Sequence, residues 1–178
     1  MLLTYIELQA LVEQGAVQAP LDQLNGASID LTLGDSLLVE GPGRHPVDLA
    51  RKQSPNFIEL LPDESGRWRL RPGDFALVNT REVFNLPDDV AFAMRLKSST
   101  ARAGLNASLA GWADPGWTGG TLTIQIKNLL SRHELILTPN MKIAQAIFHR
   151  GEPVPSEKSY AVTGHYNNTL KPTAARGI

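Results

Sequence analysis

Residues 95–102, Arg95-Leu96-Lys97-Ser98-Ser99-Thr100-Ala101-Arg102, hold three cations and three hydroxyls in eight positions. Cations, hydroxyl donors and the backbone N–H groups of a tight turn are what phosphate oxygens bind. The same composition also suits a polar loop beside a strand. A second segment, Gly111-Trp112-Ala113-Asp114-Pro115-Gly116-Trp117-Thr118-Gly119-Gly120, sets Asp114 between two tryptophans at a Pro-Gly turn. There a carboxylate against flat apolar walls suits stacking of a base or sugar beside a held polar group. A structural Asx turn with two core tryptophans is the other reading. The third segment is His165-Tyr166-Asn167-Asn168-Thr169-Leu170-Lys171-Pro172, followed by Arg176, which taken alone reads as a flexible polar tail. His45, His133, His149 and His165 show no metal-ligand spacing, so no zinc site is assigned.

The chain that must position these groups has 178 residues and no cysteine, with 17 basic and 18 acidic side chains for a net charge of −1. The length fits one domain able to bury a core without staples. Zero Cys excludes disulfides, thiol catalysis and Cys-ligated zinc. The near-neutral balance argues against a dedicated nucleic-acid binder. Nothing approaches the roughly 20 apolar residues of a membrane span, and MLLTYIELQA lacks the basic start and cleavage site of a signal peptide. These features predict a soluble, cytoplasmic, single-domain protein without membrane contact.

Thr4 to about Gln14 reads as a helix. Thr4 and Glu7 match a capping box, Leu8, Leu11 and Val12 recur at helical spacing, and Gly15 is the stop. Period-two patterning follows. Ser28 to Leu33 alternates and is expected to end at Gly34. Phe57–Leu61, Trp68–Leu70, Phe75–Thr80, Val90–Leu96, Thr121–Lys127, Glu134–Leu137 and Ile143–Phe148 read as further strands. Residues 41–56 are loop-like, and Ser99–Ala103 reads as one helical turn ended by Gly104. From Gly151 the pattern predicts an extended arm rather than a packed element. Many short strands with frequent turns mean a mainly β sandwich or barrel with one N-terminal helix. Periodicity and composition give no function.

Taken together, the segments resemble the dCTP deaminase and dUTPase superfamily. Asn25 to Gly34 is similar to P-A-S-x-D-L-R-L-G, Arg71 to Phe75 to x-P-G-x-F, and Leu86 to Val90 to x-P-x-D-L. Lys97 to Leu105 resembles K/R-S-S-L-A-R-L-G-L, Ala113 to Gly119 resembles I-D-P-G-F/W-x-G, and Asn140 to Gln145 resembles G-M-x-I-G/A-Q. The resemblance implies a distorted jelly-roll β fold over residues 1–150 with a C-terminal arm or lid over 151–178. It also implies a homotrimer with sites shared between neighbouring subunits. It implies that Ser98, Ser99 and Arg102 hold a triphosphate and line the catalytic pocket, with Lys97 the adjacent basic position. Asp114 falls on the acid of the turn near the deoxyribose, and Trp117 on the aromatic under the sugar. Tyr166 and Lys171 belong to the lid. The ligand implied is a deoxynucleoside triphosphate carrying Mg²⁺, without zinc.

One position departs from the pattern. The deaminases carry Glu in a strand like T-L-E-L-x-N, where this chain has Thr123-Ile124-Gln125-Ile126-Lys127-Asn128. Asp114 lies one residue closer to Ser98 than the pattern expects, and one residue is added after Gly119, so Gln125 keeps its offset from Ser98. In that family the Glu takes a proton from the water that attacks C4 of dCTP, giving dUTP and ammonia. Gln has nearly the same shape but no useful basicity. The resemblance thus implies catalysis by Gln125, Arg102, Ser98 and Asp114 on dCTP. The alternatives are a dUTPase-type diphosphatase using Asp114 and Mg²⁺, and a silent nucleotide-binding homologue. The tail ending at Arg176 is similar to the deaminase P-T-P-S-R ending and lacks the Gly-rich dUTPase motif.

Overall fold

Leu8 and Leu11 are fully buried on one side of helix α1 (Tyr5–Glu13). The helix opens where the Glu7 carboxylate accepts from the Thr4 N–H at 2.9 Å and ends before Gly15, whose φ of +76° reverses the chain. In the computed structural model, which describes residues 1–107 and 110–176, eleven strands follow. They are β1 (Val17–Gln18), β2 (Ile29–Glu40), β3 (Phe57–Glu59), β4 (Trp68–Leu70), β5 (Phe75–Phe84) and β6 (Val90–Leu96), then β7 (Leu105–Asn106), β8 (Trp112–Ala113), β9 (Gly120–Asn128), β10 (Leu135–Leu137) and β11 (Lys142–Arg150).

Nine strands form one curled antiparallel sheet in the order β7-β9-β5-β2-β11-β6-β8, with β1 on β5 and β3 on β2; β4 and β10 pair separately. The mainly β expectation holds. The sheet closes over apolar side chains that alternate along the strands, Leu122, Ile124 and Ile126 of β9 among them. Phe84, Phe92 and Phe148 pack together in the core, their rings tilted and their centroids 4.8 and 5.2 Å apart. Buried Asn128 ties β9 to the small sheet, donating to the Leu70 and His133 carbonyls at 2.9 Å each.

Gly34 does not end its strand: β2 runs on to Glu40. The glycine is there because the Asn79 side chain lies against its Cα, in the space a Cβ would need. The pairing of β2 with β5 shifts register between Leu33 and Leu37, and β5 likewise runs past Thr80 to Phe84. These irregularities bend the two long strands so that one chain segment serves both sides of the fold.

The segment after Gly151 is packed, contrary to the extended arm expected. It holds a 3₁₀ turn (Ser156–Lys158) and helix α3 (Tyr160–Thr163), and it buries Ser159, Thr169 and Pro172. No helix among the described residues is long and apolar enough to cross a membrane.

Candidate functional site

Strand β9 sends Leu122, Ile124 and Ile126 into the core, so its period of two turns Thr121, Thr123 and Gln125 to the opposite face. That face floors a cavity of about 520 Å³. Asp114, Trp112, Trp117, Tyr160, Tyr166 and the rings of Phe57 and Phe75 are among the residues that line it. The structure thus brings together four sequence-predicted residues: Asp114, Trp117, Gln125 and Tyr166.

Three buried polar atoms on this cavity have no hydrogen-bond partner among the described residues: Gln125 Oε1, Trp117 Nε1 and Thr173 Oγ1. A buried polar atom left unpaired costs roughly 1–3 kcal/mol, so three on residues that line one cavity single it out as a candidate site.

The Asp114 turn is held from three directions. Trp112 Nε1 donates to Asp114 Oδ1 at 2.8 Å, and the Tyr160 N–H donates to the Pro115 carbonyl at 2.9 Å. Gly116 adopts φ +83° and packs against Ser159 and Asp88, leaving no room for a side chain. Ser159 Oγ donates to Asp88 Oδ1 at 2.6 Å behind it. Trp117 is 7% exposed and stacks on Tyr160, centroids 4.8 Å apart and planes within 10°. Burial raises the Tyr160 phenol above its ordinary value, so it stays neutral.

The arm returns over the cavity of its own subunit. Thr121 N–H donates to the Thr169 carbonyl at 2.9 Å, and Thr173 N–H to Thr123 Oγ1 at 3.3 Å. Arg176 fastens the end, its guanidinium donating to the His165 carbonyl at 3.0 Å and to Thr169 Oγ1 at 3.3 Å. It also lies 5.8 Å from the centroid of the Tyr166 ring, whose hydroxyl accepts from the Arg176 N–H at 3.2 Å. Tyr160 and Arg176 are given no role by the sequence reading; Tyr160 carries no signal there, and Arg176 only its place after the tail segment and in the ending similar to P-T-P-S-R.

Other predicted residues lie elsewhere in this subunit. Ser98, Ser99 and Arg102 are exposed on helix α2 (Ser98–Arg102), off the cavity wall. Lys97 precedes that helix and pairs with buried Asp30 at 2.5 Å. Lys171 is exposed beyond the wall. No Lys or Arg is among the described cavity residues, and Asp114 is their one carboxylate.

The curled antiparallel β fold places the alternating floor and the clamped Asp-Pro-Gly turn on one cavity, and sequence comparison gives the family. The chain belongs to the dCTP deaminase-like family, whose model matches residues 2–151. A dUMP-forming dCTP deaminase of Dictyoglomus thermophilum is 31% identical over 185 residues, covering 99% of this chain and 94% of that protein. One from Acidothermus cellulolyticus is 35% identical over 184 residues, covering 99% and 95%. Both are named for forming dUMP, not the dUTP expected above. The crystal structure of 2′-deoxycytidine 5′-triphosphate deaminase from Agrobacterium tumefaciens superposes with a TM-score of 0.64 at 21% identity, over 84% of this chain and 48% of that one. It supports the fold.

Proposed function

We propose that the cavity binds the base and sugar of a pyrimidine deoxynucleoside triphosphate, and that the chain is a hydrolase acting on dCTP with dUMP as its product. The observation that supports this most is Gln125, an amide on the cavity floor whose oxygen is buried without a protein partner. Cytosine complements it: the 4-amino group donates to Oε1 while N3 accepts from Nε2. Trp117 and the two tyrosines supply apolar faces for the base and deoxyribose.

The product follows the names of the relatives and replaces dUTP. Forming dUMP takes two waters: one adds at C4 and displaces ammonia, the other attacks the α-phosphate and displaces pyrophosphate. Gln125 orients the base for the first step but takes no proton, which costs about 10²–10⁴-fold relative to a carboxylate. Asp114, oriented by Trp112, is the group able to accept a proton in the second step.

Mg²⁺ would enter on the triphosphate, since it keeps several waters and needs few protein ligands there. Among the described residues no group of three or more His, Asp or Glu could hold a metal alone. Ser98, Ser99 and Arg102, exposed on α2, would meet the phosphates in the cavity of a neighbouring subunit of a homotrimer. Lys97 and Lys171 belong to the same phosphate environment in this reading.

Incubation with dCTP or dUTP and Mg²⁺, with separate measurement of ammonia, pyrophosphate and nucleotide products, tests the reading. dUMP from dCTP with both small products supports it. Gln125 itself favours a second reading, diphosphate release without deamination, because uracil N3–H can also donate to Oε1. Turnover of dUTP alone would select that reading, and binding of nucleotide without turnover would select a silent homologue.

A further inference from the structure

Asp30 lies at the start of β2 and is 2% exposed. A carboxylate so deep persists only with close partners, and it has three. Lys97 Nζ sits 2.5 Å from Oδ1, Lys142 Nζ 2.9 Å from Oδ2, and Asn25 Nδ2 donates to Oδ1 at 3.1 Å. Lys97 is the cap residue of α2. Its carbonyl accepts from Ala101 N–H at 3.0 Å and from Thr100 Oγ1 at 2.9 Å, and Thr100 Oγ1 also reaches the Ile143 carbonyl at 3.2 Å. One face of the turn is therefore tied to β11 through Thr100, and its root to β2 through the Lys97 side chain. A five-residue helix does not hold its shape alone.

We infer that Asp30 is a positioning residue for the phosphate turn: through Lys97 it fixes helix α2 so that Ser98 and Arg102 are presented at one angle. The inference rests on the proposed function, which assigns the turn to triphosphate. The charges support the division of labour. Asp30 is 3% exposed at its side chain, Lys97 25% and Lys142 48%, so both ammoniums lie against the one buried carboxylate and Lys97 is the more enclosed of the two. Lys97 thereby acts on α2 from inside the fold.

The test compares Asp30→Asn, Lys97→Gln and Lys97→Arg with the unaltered protein. Binding of dCTP, dUTP and deoxycytidine is measured by calorimetry, and hydrogen exchange is followed in the free protein. Asp30→Asn and Lys97→Gln should each weaken triphosphate binding about 10-fold and leave deoxycytidine binding nearly unchanged, since the lost contacts are those of charged hydrogen bonds to phosphate. Exchange at the Ala101 and Ala103 amides should quicken about 10-fold. Lys97→Arg, which keeps a cation beside Asp30, should bring exchange at those two amides back toward that of the unaltered protein. Tighter dCTP binding in Asp30→Asn would mean that Asp30 merely masks a phosphate-binding Lys97, and would overturn the inference. So would unchanged exchange at those amides. If the unaltered protein binds neither triphosphate, the proposed function fails, and the exchange experiment still decides the role of Asp30. Should Asp30→Asn not fold, Lys97→Gln leaves Asp30 with Lys142 and Asn25 and decides the matter alone.

Discussion

The indole N–H of Trp112 donates to the carboxylate of Asp114 at 2.8 Å, across the point where β8 gives way to the Asp-Pro-Gly turn. Trp112 is 56% exposed, so burial does not explain it; its geometry aims a carboxylate along the cavity wall. Trp112→Phe keeps an aromatic side chain and removes the donor. The melting temperature should barely move, while pyrophosphate release should fall about 3–10-fold, the worth of one hydrogen bond. Equal rates would show that the turn alone aims Asp114.

Gln125→Glu should raise ammonia release from dCTP by about 100-fold or more, because it supplies the missing proton acceptor in the same volume. The cavity surroundings set its pH dependence. The described wall holds no cation within the subunit, so burial should push the new carboxyl above its ordinary value, by less where a neighbour's Arg102 reaches the same cavity. Ammonia release should therefore rise with pH through the weakly acidic range. A stopped ammonia assay from about pH 5 to 8 checks this; a variant that folds, binds dCTP and releases no ammonia refutes it.

Local signals made much of this fold readable in advance. Thr4, Glu7 and Gly15 bound α1, and alternation alone turns Gln125 away from Ile124 and Ile126 toward the cavity. Gly34 misled because a glycine reads as a stop, while the reason for it is Asn79, far along the chain. The two-residue strands Val17–Gln18 and Trp112–Ala113 are too short to show a period. Lys97 and Asp30 stand 67 residues apart, and nothing local reports their pairing. Arg176 likewise finds its use only after the arm has folded back on Thr169 and Tyr166.

That folded arm predicts the effect of Arg176→Ala. The variant loses the contacts to His165 and Thr169 and the stacking on Tyr166. Each is partly solvated and modest, so the β core should keep its stability. The arm should loosen, with faster amide exchange at Thr121, which donates to the Thr169 carbonyl, and dCTP affinity down about 3–10-fold. Unchanged exchange at Thr121 would show that Thr169 and Pro172 hold the arm without it.

Asp30 also sets an acid limit. Burial opposes its ionisation, and the hydrogen bonds from Lys97, then Lys142 and Asn25, outweigh this and hold its carboxyl below the ordinary 3.8. A depressed acid contributes stability that is complete above its unfolded value and is lost as pH falls through the folded one. The melting temperature should therefore drop as pH falls below 3.8. Asp30→Asn should melt lower at neutral pH and lose less on acidification, so the two curves converge. Parallel curves would assign the acid limb to other carboxylates.

The separation of α2 from Gln125 within one subunit gives the last test. If a neighbour's Arg102 completes each cavity, the two residues belong to one site but to two chains. Arg102→Ala and Gln125→Ala should each weaken dCTP binding on their own. Refolded together in equal amounts, they should regain tight sites, because some cavities then join an intact Gln125 from one subunit to an intact Arg102 from the next. Random assembly of a cyclic trimer restores about one site in four. Calorimetry reads that fraction directly as a tight-binding stoichiometry, and light scattering of the same sample gives the oligomer size. No tight sites in the mixture, with a trimer present, would mean that each cavity is complete within its own chain. A monomer would remove the shared site altogether and leave the exposed hydroxyls of α2 without a nucleotide to hold.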